Sequence, residues 1–151
     1  MANKTVAQKG LGMGWHKFLL FLLWIGAAIN LLLGAAYALI PDMLFDPNVL
    51  AANPMIQPLF MVVGAALILV SLYQFFMRGR LKRLRKGSPT LLTISYILVA
   101  IVNLASIIGP VVIAPDLFTL DSTEVTSTIT SAIVWIVVNT SYYKKRADMF
   151  E

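Results

Sequence analysis

Four runs of the sequence lack lysine, arginine and aspartate and are long enough to cross a lipid bilayer. They cover residues 18–40, 57–77, 89–114 and 123–143. A membrane-spanning helix needs about 20 mostly apolar residues, because the hydrocarbon core is about 30 Å thick and a helix rises about 1.5 Å per residue. Composition agrees, since 59% of the residues are hydrophobic and 13% are charged, whereas a soluble domain is about 25% charged. The sequence therefore predicts an all-α, polytopic membrane protein with four transmembrane helices.

Basic residues lie outside these four runs and indicate how the chain is threaded. Three lysines precede the first run, six bases lie at 78–86, and three follow the last run. Cytoplasmic loops retain Lys and Arg, so the pattern predicts a multi-pass protein of the plasma (inner) membrane with both termini in the cytoplasm. The expected parts are a cytoplasmic segment 1–17, a first hairpin 18–77 with outer loop 41–56, a basic loop 78–88, a second hairpin 89–143 with outer loop 115–122, and a cytoplasmic tail 144–151. Asp46 and Asp121 are placed to cap helices.

The two predicted hairpins contain similar phrases, AINLLLGAAYALIPDMLF and IVNLASIIGPVVIAPDLF. The matching positions are Asn30 and Asn103, Gly34 and Gly109, Pro41-Asp42 and Pro115-Asp116, and Phe45 and Phe118. Both copies start on the same side of the membrane, as in a parallel repeat. The similarity predicts a tandem repeat of a two-helix hairpin.

Asparagines inside the apolar runs require hydrogen-bond partners, because an unpaired amide is costly in hydrocarbon. Asn30 and Asn103 are expected at similar depth, which favours a hydrogen bond between them. Residues predicted to make interhelical polar contacts are Asn30, Asn103, Ser106 and Asn139. Such contacts suit helix packing, and the same residues suit the lining of a polar lumen or ligand cavity.

Chemistry-bearing residues are scarce, which disfavours an enzyme. The chain has no cysteine and one histidine, His16, so disulfides, thiolate metal sites and bis-histidine haem ligation are excluded. The interiors of the runs contain no carboxylate, histidine or lysine, and Glu124 lies only at the edge of the last run. We therefore expect no catalytic residues, no metal site and no cofactor.

A dense basic segment, MRGRLKRLRKG, lies between the second and third runs. Its bases are Arg78, Arg80, Lys82, Arg83, Arg85 and Lys86. These bases are sufficient to hold the loop in the cytoplasm. They also suit binding to anionic lipid heads, where each base near the surface contributes about 1 kcal/mol of attraction. An acidic partner protein is a further alternative. Nucleic-acid binding is disfavoured because the loop is short and tied between two spans.

Some local phrases resemble those of small four-helix bacterial membrane proteins that are uncharacterised. They are Trp15-x-Lys17-Phe18, the SPTLLTISYI start of the third run, and the ending Asn139-Thr-Ser-Tyr-Tyr-Lys-Lys-Arg. The resemblance implies a four-helix architecture and no particular activity. The sequence predicts a non-enzymatic interaction or accessory subunit that self-associates or joins a larger membrane complex. The alternative is a small oligomeric channel or transporter whose pore is lined by Asn30, Asn103, Ser106 and the Ser/Thr face of the fourth run.

Overall fold

The structure is a computed structural model that describes residues 12–40 and 46–150, and it is all-α. Its α-helices are α1 (Gly14–Leu39), α2 (Pro47–Ala52), α3 (Ile56–Lys82), α4 (Ser88–Ile113) and α5 (Ser122–Lys144), followed by a short 3-10 turn, Ala147–Met149. The four long helices coincide with the four apolar runs to within a few residues at most ends. Lys4, Lys9, Pro41-Asp42 and Phe45 lie outside the described residues.

Three of the helices, α1, α3 and α4, are long and apolar enough to cross a membrane, in the part of the chain that the structure describes. Helix α5 has 23 residues, which is sufficient length, but it is not among the three. Its first half, STEVTSTITS, is rich in hydroxyl groups, and these lower its hydropathy. Three apolar helices are thus compatible with a membrane protein, and the fourth predicted span is not confirmed.

The long helices pack side by side in chain order, each antiparallel to the next. Between α1 and α3 the Ser71 hydroxyl donates to the Ala27 carbonyl at 2.7 Å, and Arg78 Nε donates to the Leu20 carbonyl at 2.9 Å. Between α3 and α4 the Tyr73 hydroxyl donates to the Leu91 carbonyl at 3.0 Å. The antiparallel order collects the start of α1, the end of α3, the start of α4 and the end of α5 at one end of the bundle. We call this the basic end, because the described Lys and Arg residues lie there.

The connection between α3 and α4 is shorter than the sequence indicated. Residues 78–82 of the expected loop 78–88 continue α3, with Gly79 inside the helix. The amide of Arg85 then bonds the Arg80 carbonyl at 3.2 Å and that of Leu84 bonds the Leu81 carbonyl at 3.0 Å, which is a Schellman ending. Leu84 holds the left-handed position of this ending with φ 50°, where glycine is the usual residue.

Two aspartates cap helices as the sequence predicted. Asp46 Oδ1 accepts from the amide of Asn48 at 2.8 Å at the start of α2. Asp121 Oδ1 accepts from the amides of Thr123 and Glu124 at 2.8 and 3.4 Å at the start of α5. These bonds satisfy N–H groups that have no partner within the helix, and they fix where each helix begins.

The two halves of the predicted repeat have different surroundings. Gly34 lies against the backbone of Gly64 in the partner helix of its own hairpin, whereas Gly109 lies against the Leu59 side chain of the other hairpin. The Pro41-Asp42 and Phe45 members cannot be compared because they lie outside the described residues. The tandem repeat is therefore not supported by equivalent packing and stays a prediction.

Candidate functional site: an uncharged cavity beside an aromatic cluster

A cavity of about 470 Å³ lies among α1, α3, α4 and α5. Its walls combine leucines and a valine with amides, hydroxyls and two aromatic rings. The lining residues with polar groups are Asn30, Gln74, Tyr96, Asn103, Ser127, Thr128, Ser131 and Trp135. Among the described residues that line it, none carries a formal charge at neutral pH.

The cavity exists because α5 is packed against the bundle mainly near the basic end. Asn139 and Tyr143 are the buried residues of this helix, and both lie in its last two turns. Further toward its start, Ser127 and Ser131 line the cavity and are exposed. Helices α1 and α5 both line the cavity and do not pack closely against each other.

Asn30 bonds a different residue from the one that the sequence suggested. Its Nδ2 donates to Gln74 Oε1 at 3.0 Å, which joins α1 to α3. Gln74 is 6% exposed, so this bond lies in the interior. The expected Asn30–Asn103 hydrogen bond is wrong, because α3 rather than α4 lies directly beside α1.

Asn103 and Ser106 have separate roles on α4. The Ser106 hydroxyl donates to the Asn103 backbone carbonyl at 2.7 Å, so the contact of Ser106 is within its own helix and not interhelical. The Asn103 side chain lines the cavity and makes no hydrogen bond to any part of the chain that the structure describes. Asn103 thus supplies a polar group that remains available inside the cavity.

Asn139 joins three helices at the basic end of the cavity. Its Oδ1 accepts from Trp15 Nε1 at 3.1 Å, and its Nδ2 donates to the Tyr96 hydroxyl at 3.2 Å and to the Trp135 carbonyl at 2.7 Å. The Trp135 ring is stacked between Trp15 and Tyr96, with centroids 5.9 and 6.0 Å away. We call Trp15, Tyr96, Trp135 and Asn139 the aromatic cluster. Tyr96 and Trp135 of this cluster line the cavity.

His16 extends the contact between α1 and α5 by one further pair. Its Nδ1 lies 3.0 Å from the Tyr143 hydroxyl, and both side chains are buried. His16 precedes the first apolar run, so the sequence did not indicate a buried contact for it. Its position between helices indicates a packing role, and it has no second histidine with which to ligate a cofactor.

The six bases of the basic segment divide into two groups. Arg78 is bound to the Leu20 carbonyl, and Arg80 Nη2 donates to the Lys86 carbonyl at 3.1 Å while its guanidinium lies 5.9 Å from the Phe76 ring centroid. The other four, Lys82, Arg83, Arg85 and Lys86, have exposed side chains. Two arginines therefore hold the chain together, and four bases face outward.

Gln74, Tyr96 and Trp15 are the polar partners whose roles the sequence did not reveal. Gln74 and Tyr96 recur at helical spacing with small residues, which indicated a packing face but not the partner. Trp15 precedes the first apolar run, so the sequence did not indicate an interior partner for it. To predict these partners, one must know which residues of neighbouring helices lie at the same level. For α1 and α3 this register is shown by Arg78 lying beside Leu20.

Within the described ranges no three His, Asp or Glu side chains are grouped as metal ligands would be. No protein-family model matches the chain, and no curated protein or solved structure is significantly similar to it. The cavity and the exposed surfaces are therefore the basis for a functional proposal.

Proposed function

We propose that the protein is a non-enzymatic membrane interaction subunit that self-associates through α5. The observation that carries this proposal is the exposed hydroxyl face of that helix, formed by Ser122, Thr123, Thr126, Ser127, Thr130 and Ser131. In this proposal α5 is the fourth membrane span, and both termini are in the cytoplasm of a bacterial cell. A helix of such low hydropathy is better stabilised in a bilayer when another helix covers its polar face.

A second copy of the chain is the partner that this face suits. Serine and threonine hydroxyls both donate and accept hydrogen bonds, so two identical hydroxyl faces are complementary to each other. A two-fold contact places the same residues on both sides. No charge lies on the face, and an acidic or basic partner helix would gain no ion pair there.

Disulfide trapping in native membranes tests this proposal, because the chain has no cysteine of its own. Thr130→Cys should form disulfide-linked dimers on mild oxidation. Ile129→Cys is the matched control, since it is the next residue at the same depth but points about 100° away around the helix. Equal crosslinking of the two variants, or capture of a larger protein in place of a second copy, would contradict self-association through this face.

The four exposed bases support anionic lipid as a further partner at the basic end. A hollow of about 290 Å³ lies beside them, lined by Phe75, Phe76, Gly79, Arg80, Arg83 and Arg85. Arginine pairs well with phosphate because its fork of donors matches the oxygens. Arg83→Gln with Arg85→Gln should reduce anionic lipid retained in native mass spectra, whereas Lys144→Gln with Lys145→Gln removes the same charge elsewhere and should not.

A channel or transporter is the second candidate, supported by the polar lining of the cavity. Asn30, Asn103 and hydroxyls of α5 line it, as the sequence interpretation required of a pore, but Ser106 does not. The stacked rings of Tyr96 and Trp135 lie in the cavity wall, which disfavours a continuous pore in one copy. Solute flux into vesicles containing the protein distinguishes the candidates, because an interaction subunit leaves them tight.

A further inference from the structure

The polar groups that line the cavity are only partly paired within the chain. The bond from Asn30 Nδ2 to Gln74 Oε1 leaves the Gln74 amide nitrogen and Asn30 Oδ1 without a hydrogen-bond partner among the described residues. The Asn103 side chain is likewise unpaired there. Gln74 is buried, and Asn30 and Asn103 are half-buried in the cavity wall. The cavity thus presents donors and acceptors that a bound molecule can satisfy.

The walls limit the charge of that molecule. A charged head would lie among leucines, amides and hydroxyls with no opposite charge in the lining, and burying an unpaired ion is strongly unfavourable. The volume of about 470 Å³ is within the range of small-molecule sites, about 300–1,000 Å³. An uncharged head group of modest size is therefore what the cavity can accept.

The helices that line the cavity suggest a route of entry. Tyr96 and Trp135 of the aromatic cluster lie in its wall, and α1 and α5 line it without packing closely against each other. Leu22 of α1 and Ala132 of α5 are apolar residues of the lining and suit an alkyl chain. A molecule that enters between these helices comes from the side, and in a membrane-embedded bundle that side is lipid.

We infer that this cavity binds the head of an uncharged, hydroxylated lipid of the acylglycerol class. Glycerol hydroxyls donate to Asn30 Oδ1 and Asn103 Oδ1 and accept from the amide nitrogens. A quinone head accepts hydrogen bonds but donates none, so it leaves the asparagine oxygens unpaired. The match in both donors and acceptors favours the hydroxylated head, and its acyl chains leave the cavity between α1 and α5.

Photo-crosslinking in phosphatidylcholine vesicles tests the inference with the full chain. The probe is a diacylglycerol with a diazirine near the glycerol end of one acyl chain, and a phosphatidylcholine with the same labelled chain is the reference. We expect about tenfold more labelling by the diacylglycerol, on peptides that contain the cavity-lining residues of α1, α4 and α5. Unlabelled diacylglycerol should compete, and a short-chain quinone should not.

Two alanines of α4 provide matched variants. Ala100→Leu fills the cavity, whereas Ala105→Leu makes the same change at an exposed position outside the lining. Labelling should fall about tenfold in the first and stay unchanged in the second. Asn103→Leu keeps similar volume, removes the amide and should also lose labelling, which provides a second test if Ala100→Leu does not fold.

Three results would overturn the inference. One is equal labelling of Ala100→Leu and Ala105→Leu when both give native circular dichroism. Another is equal labelling by the diacylglycerol and the phosphatidylcholine, which would indicate ordinary boundary lipid around water-filled space. The third is displacement of the label by quinone but not by unlabelled diacylglycerol, which would assign the cavity to an acceptor-only head.

Discussion

Gly34 and Gly64 bring the backbones of α1 and α3 into direct contact. A Cβ atom on Gly34 would lie 2.7 Å from the Gly64 carbonyl oxygen, and one on Gly64 would lie 2.6 Å from the Gly34 carbonyl oxygen. Backbone atoms cannot move aside as the end of a side chain can. Only glycine at both positions allows this approach, and close approach is the main source of packing between helices in lipid, where no hydrophobic drive operates.

Gly34→Ala should therefore destabilise the protein. The added methyl group forces α1 and α3 apart, and overpacking of this kind costs about 1–3 kcal/mol. The free energy of unfolding can be measured by denaturation in mixed micelles, followed by circular dichroism. Gly79→Ala is the control, because a Cβ at Gly79 meets nothing within 4 Å. Equal loss in both variants would show that the effect comes from removing glycine and not from the contact.

A double-mutant cycle should find coupling between Asn30 and Gln74. Asn30→Leu and Gln74→Leu each remove one end of the 3.0 Å hydrogen bond, and such bonds in membrane proteins contribute about 0.6–1.7 kcal/mol. Unfolding free energies of the two single variants and the double variant give the coupling. The cycle of Asn30→Leu with Asn103→Leu should be additive. Coupling in that second cycle would restore the pairing that the sequence suggested.

The Asn30 pairing illustrates what the sequence could and could not predict. Apolar runs, caps and charge located the long helices, because length and hydropathy decide whether a segment can span. The rotation and register of each helix were hidden, since lipid-facing and packed surfaces are equally apolar in such runs. No sequence pattern assigned Gln74 a partner. Arg78 bonds the Leu20 carbonyl, and this register brings Gln74 level with Asn30.

The cavity also depends on information that no single helix carries. Asn103 and the hydroxyls of α5 were recognised as polar positions, with packing and a lumen both left open. The bulky contacts of α5 lie at the basic end, where Trp135 stacks on Trp15 of α1 and on Tyr96 of α4. The spacing of residues within one helix does not specify how closely that helix packs against another that is distant in the chain, as α1 and α5 are.

Asn139→Leu should loosen the attachment of α5. Asn139 is 2% exposed and bonds Trp15, Tyr96 and the Trp135 carbonyl, so its loss leaves buried groups unpaired, at about 1–3 kcal/mol for such a group. Hydrogen exchange of residues 136–143, read by mass spectrometry, should accelerate. Thr140→Leu changes the neighbouring, exposed residue and should leave exchange unchanged. Similar protection in both variants would contradict an anchoring role for Asn139.

The start of α5 should respond to acid through Asp121. Amide N–H groups of Thr123 and Glu124 and the Thr123 hydroxyl donate to its carboxylate and hold the pKa of Asp121 below the ordinary value. A lowered pKa in the folded state means that the cap stabilises fully above the unfolded pKa of about 3.9. This contribution is lost as pH falls through the folded pKa. The carboxyl chemical shift of Asp121 reports its protonation, and amide exchange at Thr123 reports loss of the cap. Both should follow one titration, at a pH below the ordinary pKa of aspartate. Asp121→Asn keeps a capping oxygen without a charge, so its Thr123 exchange should lose this pH dependence, whereas Asp121→Ala should exchange faster at every pH. An ordinary pKa for Asp121, or acid-induced exchange that persists in Asp121→Asn, would show that another group controls the end of the helix.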